Sequence, residues 1–401
     1  MKQSWRWFGP GDPIPLEHVK QAGATAVVSA LHHLYRGEAW PEADVLRRRD
    51  EVLAAGLEWA VVESIPIHNS IKLRTRPYGK FIGAWKDSLR AIARAGVRVV
   101  CYNFMPVVDW TRTDLQWRLP STGYGLRFDA VDFAAYDLFI LRRKGAEGDH
   151  SEERARAAQA RWQSMSEERR SSLERTIIAG LPGAEASYDR EAIRNLIAEY
   201  AGLSHEDLRQ HLAAFLGEVA PVAEELGIRL AIHPDDPPWP LFGLPRVVST
   251  AGDVRAILGA CPVVGNGLTF CVGSFGARAD NDLPAMVGEF GSHIHFVHLR
   301  QVRREDGAAF GQGSFHESEH LEGSSDMLGM VRALLEEELR RRKTGRTDQE
   351  IPMRPDHGHL LGGDIGREMN PGYSYVGRLK GLAELRGLMH GLRHSCPQLP
   401  E

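Results

Sequence analysis

Four side chains with metal-binding chemistry close four apolar runs in the second half of the chain. His233 lies in LAIHPDD, Cys271 in LTFCVGS, His298 in HFVHLR and Asp356 in PMRPDHGH. Imidazole, thiolate and carboxylate are all ligands for divalent metals. Taken singly, a histidine or cysteine at the end of an apolar run is an ordinary packed or hydrogen-bonded residue. Four such residues at corresponding places in consecutive runs suggest a shared purpose, and convergence on one metal ion supplies it. Two nitrogens, one sulfur and one oxygen accommodate zinc, and equally Mn²⁺, Fe²⁺ or Co²⁺.

Other polar residues gather at the ends of similar runs. His32 and His33 follow one, Glu63 closes a second and Asn103 a third. They suit the lining of a site for a polyhydroxylated substrate, or simply cap loops and turns. The HPDDPPWP segment places Asp235 and Asp236 either at the site or in a proline-stiffened turn facing water. Arg300 and Arg354 adjoin the proposed ligand runs and offer two-pronged donors for a carboxylate. FHESEHLEG carries His316 and His320 in a stretch long enough to cover a site, or to be a plain surface loop. Other chemistries lack their motifs. No GxGxxG follows a strand, and GxxxxGK[ST] and GxSxG do not occur.

The elements that must position these residues follow from the apolar pattern. Strands are expected near Trp5–Phe8, Thr25–Leu31, Trp59–Ile65, Val97–Met105, Arg229–Pro234, Asn266–Val272, His293–Leu299 and Ile351–Asp356. Runs such as VVSA, WAVVES and HIHFVHL are unbroken, as in strands buried on both faces. Helical patterns at Leu16–Ala22, Ala43–Ala55 and Ile82–Ala95 separate the early strands, each ending in Ala-Gly at Gly23, Gly56 and Gly96. Eight strands alternating with helices indicate an α/β fold, a single (β/α)₈ barrel over residues 1–401, with a doubly wound sheet as the alternative. A large helical insertion is expected at about 107–228, between strands four and five, and a covering loop at about 301–325.

Composition narrows the partners. Lys and Arg number 49 and Asp and Glu 53, for a net charge of −4, which gives no global attraction to nucleic acid or anionic membranes. No apolar run approaches the length of a membrane helix. The opening MKQSWRWFGPGDPIP lacks the apolar core of a signal peptide. The four cysteines, Cys101, Cys261, Cys271 and Cys396, form no CxxC pair. A soluble, reduced, cytoplasmic protein is expected.

The chain resembles the mannonate dehydratase family, metal-dependent lyases of hexuronate and glucuronate breakdown within the xylose-isomerase-like barrels. The resemblance runs from WRWFGPGD (Trp5–Asp12) to MNPGYSYVGRLKGLAELRGL (Met369–Leu388). Between them stand LHHLYRGEAW, VVESIPIHNSIK, VVCYNFMPVVDWTRTDL, IHPDDPPWPLFGLPR, LTFCVGSFG, FVHLR, FHESEHLEGSSDM and RPDHGH. The chain departs from the family pattern at Ala308–Ser314 and Leu361–Arg367. The resemblance implies dehydration of D-mannonate to 2-keto-3-deoxy-D-gluconate and water. It also implies a homo-oligomer, dimer or higher, and Mn²⁺ or Fe²⁺, with Co²⁺ possible. His233, Cys271, His298 and Asp356 become the metal ligands, the same four that the strand ends select. Tyr373 of the PGY motif is implied in proton transfer, with His357 and Asp356 nearby. His32, Asn103, Asp235, Arg300, His320 and Arg354 are expected to meet the substrate. A sugar isomerase or epimerase on the same barrel, and a non-catalytic sugar-acid-binding protein, are the alternatives.

Overall fold

Unbroken runs of Val, Ile and Ala become strands whose two faces are both covered. The computed structural model describes residues 1–179, 189–305 and 313–399. Its strands are β1 (Lys2–Arg6), β2 (Ala26–Ser29), β3 (Glu58–Glu63), β4 (Val99–Tyr102), β5 (Asp114–Arg118) and β6 (Tyr124–Phe128). The series continues with β7 (Arg229–Ile232), β8 (Asn266–Cys271), β9 (Ile294–His298), β10 (Val302–Arg304), β11 (Phe315–Glu317) and β12 (Pro352–Arg354). Eight of them close a barrel in the order β1-β12-β9-β8-β7-β4-β3-β2, and every pairing in it is parallel. Each expected strand is therefore present with ends that differ by a few residues, and β1 lies three residues earlier at its start than expected. The closed ring decides against the doubly wound sheet.

Packing follows the two-sided burial. Inside the barrel sit small or slim side chains, among them Ala26, Val28, Ala60, Val61, Val99, Cys101 and Ala231, with Phe296. Outside, Val27, Val62, Val100, Ile232 and Val297 meet the surrounding helices in the main core. The expected helix stops are present: Gly23, Gly56 and Gly96 take φ of 86°, 72° and 85°. Among the described residues, no helix is long and apolar enough to cross a membrane.

The segment read as a helical insertion is only partly helical. Helices Glu152–Ser164, Glu167–Ala179 and Arg190–Glu199 are present. The helix His205–Glu225 packs Leu208, Leu212, Phe215 and Val219 into the main core, so it belongs to the barrel's helical layer. The start of the segment forms the hairpin β5–β6. That hairpin joins β10 and β11 from the expected covering loop in a four-stranded antiparallel sheet, ordered β10-β11-β6-β5. Two distant stretches thus build one lid, with its own core of Phe128, Phe133, Trp239, Phe242 and Phe315. The part of the covering loop at 306–312, with most of the Ala308–Ser314 departure, lies outside the described residues.

Candidate active site

The ends of β7, β8, β9 and β12 lie side by side because the barrel registers pair them. Cys271 is level with His298, and His298 with Arg354. His233 follows β7 directly, its amide held by the Tyr102 carbonyl at 2.7 Å. One donor atom from each of His233, Cys271 and His298 lies within 4.8 Å of the other two. The rings meet at 3.2 Å, His233 Nε2 to His298 Nδ1. His233 is aimed by its other nitrogen, whose proton goes to the Pro234 carbonyl at 2.7 Å.

Asp356 stands at the edge of this cluster. It is 3.9 Å from Cys271 Sγ and 3.8 Å from His298 Nδ1. Its backbone takes φ 67°, a left-handed conformation rare outside glycine, and this follows from the turn that ends the last strand. Two guanidiniums grip the carboxylate, Arg354 Nη1 at 2.5 Å and Arg300 Nε at 2.9 Å.

The electrostatics ready the thiolate for a cation and leave on His233 a proton that a metal ion displaces. Burial alone would raise the Cys271 thiol. The Arg300 charge and the hydrogen bonds of His233 and His298 outweigh it and hold the thiol well below its usual range. Burial would likewise lower His233, yet its bond to Cys271 lifts it to about 9. A thiolate beside two convergent imidazoles is a donor set that fits a divalent metal.

Above the cluster opens a cavity lined by Arg6, His32, Glu63, Asn103, Trp110, Arg300, Arg354, Asp356, His357 and Tyr373. Charges of alternating sign ring it. Arg6 meets Glu63 at 3.0 Å, Glu63 meets Arg354 at 3.0 Å, and Arg354 meets Asp356. Deeper in, Asp236 accepts from Arg112 at 2.7 Å, from Arg300 and from Ser274 at 3.1 Å. Tyr373 arrives on a returning loop, where Gly358 donates to the Gly372 carbonyl at 2.9 Å. Gly372 has φ 79°, and a Cβ there would stand 3.2 Å from the His357 ring, so glycine is what lets the loop approach. The rings of Tyr373 and His357 then meet edge to face at 5.1 Å. Burial pushes the Tyr373 hydroxyl up to about 12 against the pull of Arg354. The phenol therefore keeps its proton at neutral pH, and the arginine does not make it a base.

The sequence-expected residues divide cleanly. His32, Asn103, Arg300, Arg354, Asp356, His357 and Tyr373 line the cavity, and His233 borders it. Asp235 and His320 do not reach it, which corrects their expected substrate contact. Asp235 turns away to accept from the Val248 amide and the Ser249 hydroxyl, both at 2.7 Å. His320 packs behind the site, bonded to the Pro355 carbonyl at 2.9 Å, and burial lowers it to about 4. Asp236, left open between the site and a water-facing turn, is buried among arginines and lines the cavity. Arg6, Arg112 and Glu317 were not anticipated. Burial would raise Glu317, but His357, Arg300 and Arg112 around it hold it at about 2.

A family model described as D-mannonate dehydratase (UxuA) matches residues 1–397. The chain belongs to the D-mannonate dehydratase family. Relatives agree in sequence over nearly their whole length. A mannonate dehydratase of Saccharophagus degradans is 52% identical over 393 residues, 98% of each chain. Mannonate dehydratase 2 of Agrobacterium fabrum is 54% identical over 389 residues, 97% of this chain and 96% of its own. The crystal structure of mannonate dehydratase from Streptococcus suis serotype 2 superposes with a TM-score of 0.77 at 33% identity. That alignment covers all of this chain and 96% of the other. The isomerase, epimerase and binding-protein alternatives give way to the dehydratase family.

Proposed function

We propose that His233, Cys271, His298 and Asp356 hold the divalent metal of a hydro-lyase, and that the cavity above them receives a six-carbon sugar acid. Membership of the family makes the reaction the dehydration of D-mannonate to 2-keto-3-deoxy-D-gluconate and water. The observation that carries the ligand assignment is the convergence of three donor atoms within 4.8 Å at strand ends, with the Asp356 carboxylate beside them.

The chemistry asks for two proton transfers. The proton on C2, next to the substrate carboxylate, is very weakly acidic, and the C3 hydroxyl is a poor leaving group. A divalent metal in the site supplies Lewis-acid stabilisation of the negative charge that develops next to C2. His357 takes the C2 proton: the C–H bond breaks, an N–H bond forms and the electron pair moves into the C1–C2 unit. Tyr373, protonated at neutral pH, donates to the departing C3 oxygen, which leaves as water. The enol that remains tautomerises to the 2-keto acid. His32, Asn103, Arg300 and Arg354 orient hydroxyls and carboxylate from the cavity walls.

Mn²⁺ or Fe²⁺ is the favoured ion, and the donor set also admits Co²⁺. A cytoplasmic homo-oligomer belongs to the same reading, with light scattering as the check on assembly. The reaction itself is tested by metal-reconstituted protein and D-mannonate, assayed for a 2-keto acid. Formation of that acid supports the reading, and isomerisation of aldoses without it would replace the reading.

A further inference from the structure

We propose that Glu317 is a positioning residue for the proton transfer, fixing the Nδ1 proton of His357 so that the bare Nε2 of that ring faces the substrate. The inference rests on the reading of His357 given above and adds a residue from the lid to the machinery.

Glu317 is the last residue of β11, in the four-stranded lid sheet rather than the barrel. Its side chain is 3% exposed. Phe315 and Glu317 point inward and His316 is half-buried, so the alternation of a strand aims the carboxylate at the barrel mouth. There one oxygen, Oε1, accepts from His357 Nδ1 at 2.6 Å, from Arg300 at 3.0 Å and from Arg112 at 3.3 Å. The three donors come from different parts of the chain, so the carboxylate is held from several sides.

His357 is confined as well. Its ring stands edge to face with Tyr373 at 5.1 Å and with Trp110 at 6.0 Å. A neutral imidazole carries one proton, and an acceptor on one nitrogen decides which nitrogen carries it. A carboxylate at Nδ1 leaves a lone pair on Nε2, 3.8 Å from Asp356 Oδ1, on a ring that lines the cavity. When Nε2 takes the C2 proton, the same carboxylate faces the resulting imidazolium and stabilises it. Arg112 and Arg300 limit the cost of burying that carboxylate before the proton arrives.

A plain structural ion pair with the two arginines would not govern a tautomer, and this separates the two roles. The test uses the metal-loaded full-length protein, with Glu317→Gln and Glu317→Asp variants. Steady-state kinetics on D-mannonate accompany metal analysis and ¹⁵N NMR of the histidine rings, with His357 assigned through His357→Asn. The expected result is a fall in kcat of about 10²-fold in Glu317→Gln, with KM within about twofold. Metal content should stay unchanged while His357 shifts toward the Nε2–H form. Glu317→Asp keeps a charge for the arginines but withdraws it by one methylene. It should lose kcat in the same way, and it serves if Glu317→Gln does not fold. The double variant Glu317→Gln/His357→Asn should be no slower than His357→Asn alone, because the pair acts as a unit. Wild-type kcat in folded variants, an unchanged tautomer or multiplying losses would overturn the proposal. Failure of the wild-type protein to dehydrate D-mannonate would instead defeat the reaction assignment, and the tautomer comparison would still decide the role of Glu317.

Discussion

His233 Nε2 and His298 Nδ1 face each other across 3.2 Å, with Cys271 beside them. Two imidazole nitrogens that close require a proton or a cation between them. Cation binding to the folded chain stabilises it by mass action, by about 2.7 kcal/mol at a hundredfold excess over Kd. The melting temperature of metal-stripped protein should therefore rise on adding Mn²⁺ or Fe²⁺. The rise should be lost in His233→Ala. Identical calorimetric traces with and without metal would remove these two histidines from any cation site.

Cys271 gives a chemical readout of the same cluster. Held well below the usual thiol range, it should alkylate readily whenever reagent gains access to the metal-free cluster, and bound metal should protect it. Burial raises Cys101 far above its ordinary value, so it is an inert control within the same barrel. Mass spectrometry after iodoacetamide treatment measures both. Equal labelling of Cys271 in metal-free and metal-loaded protein would contradict its role as ligand.

Tyr373 and Tyr375 stand two residues apart and should behave oppositely. Tyr375 begins the final helix and packs against Trp5 and His18, away from the chemistry. Tyr373→Phe should lower kcat about 10²–10⁴-fold with metal content intact, and Tyr375→Phe should leave turnover nearly unchanged. With its hydroxyl pushed up to about 12, Tyr373 should impose no titration on kcat between pH 6 and pH 10. Normal kcat in Tyr373→Phe would hand the acid role to another group.

Asp235 sits one residue from the ion-paired Asp236 but ties down a turn instead. Asp235→Ala strands the Val248 amide and the Ser249 hydroxyl, both buried. A loss of about 1–3 kcal/mol in stability is expected, read by urea unfolding, with KM for D-mannonate unchanged. A raised KM at wild-type stability would return Asp235 to the substrate.

The lid has its own pH dependence. Burial would raise Glu305, yet its hydrogen bonds to Arg127 and His316 hold it at about 2. A folded-state value below the unfolded one contributes stability that is complete above the ordinary carboxyl value of about 4.5 and is lost as pH falls toward 2. Allowing for partial exposure, the pair contributes about 1 kcal/mol. Glu305→Gln should narrow the gap in stability between pH 6 and pH 3, measured by denaturant unfolding. An unchanged gap would detach this ion pair from acid sensitivity.

The barrel was legible because strands buried on both faces leave runs such as VVSA and HIHFVHL that no surface element needs. The proposed ligands were legible because barrel chemistry collects at strand ends, where His233, Cys271 and His298 lie. The lid sheet was not legible. DLQWR on β5 is largely exposed, and β10 and β11 have three residues each, too short for period to speak. Arg112 and Glu317 were missed for the same reason, since 205 positions separate two side chains that meet at 3.3 Å. A signal for Glu317 did exist in FHE, where a two-residue period places the glutamate on the same face as a buried phenylalanine. Asp235 misled because adjacent aspartates in HPDD turn to opposite tasks, which only the fold around them decides.

Metal dependence of dehydration is the most direct test of the assigned centre. Metal-stripped protein is titrated with Mn²⁺ in the presence of D-mannonate, and the 2-keto acid formed is measured at each addition. Product formation should be absent without metal and rise to a plateau at one ion per chain, with His298→Ala failing to bind or turn over. Full turnover by protein that elemental analysis finds free of metal would contradict a catalytic ion held by His233, Cys271, His298 and Asp356.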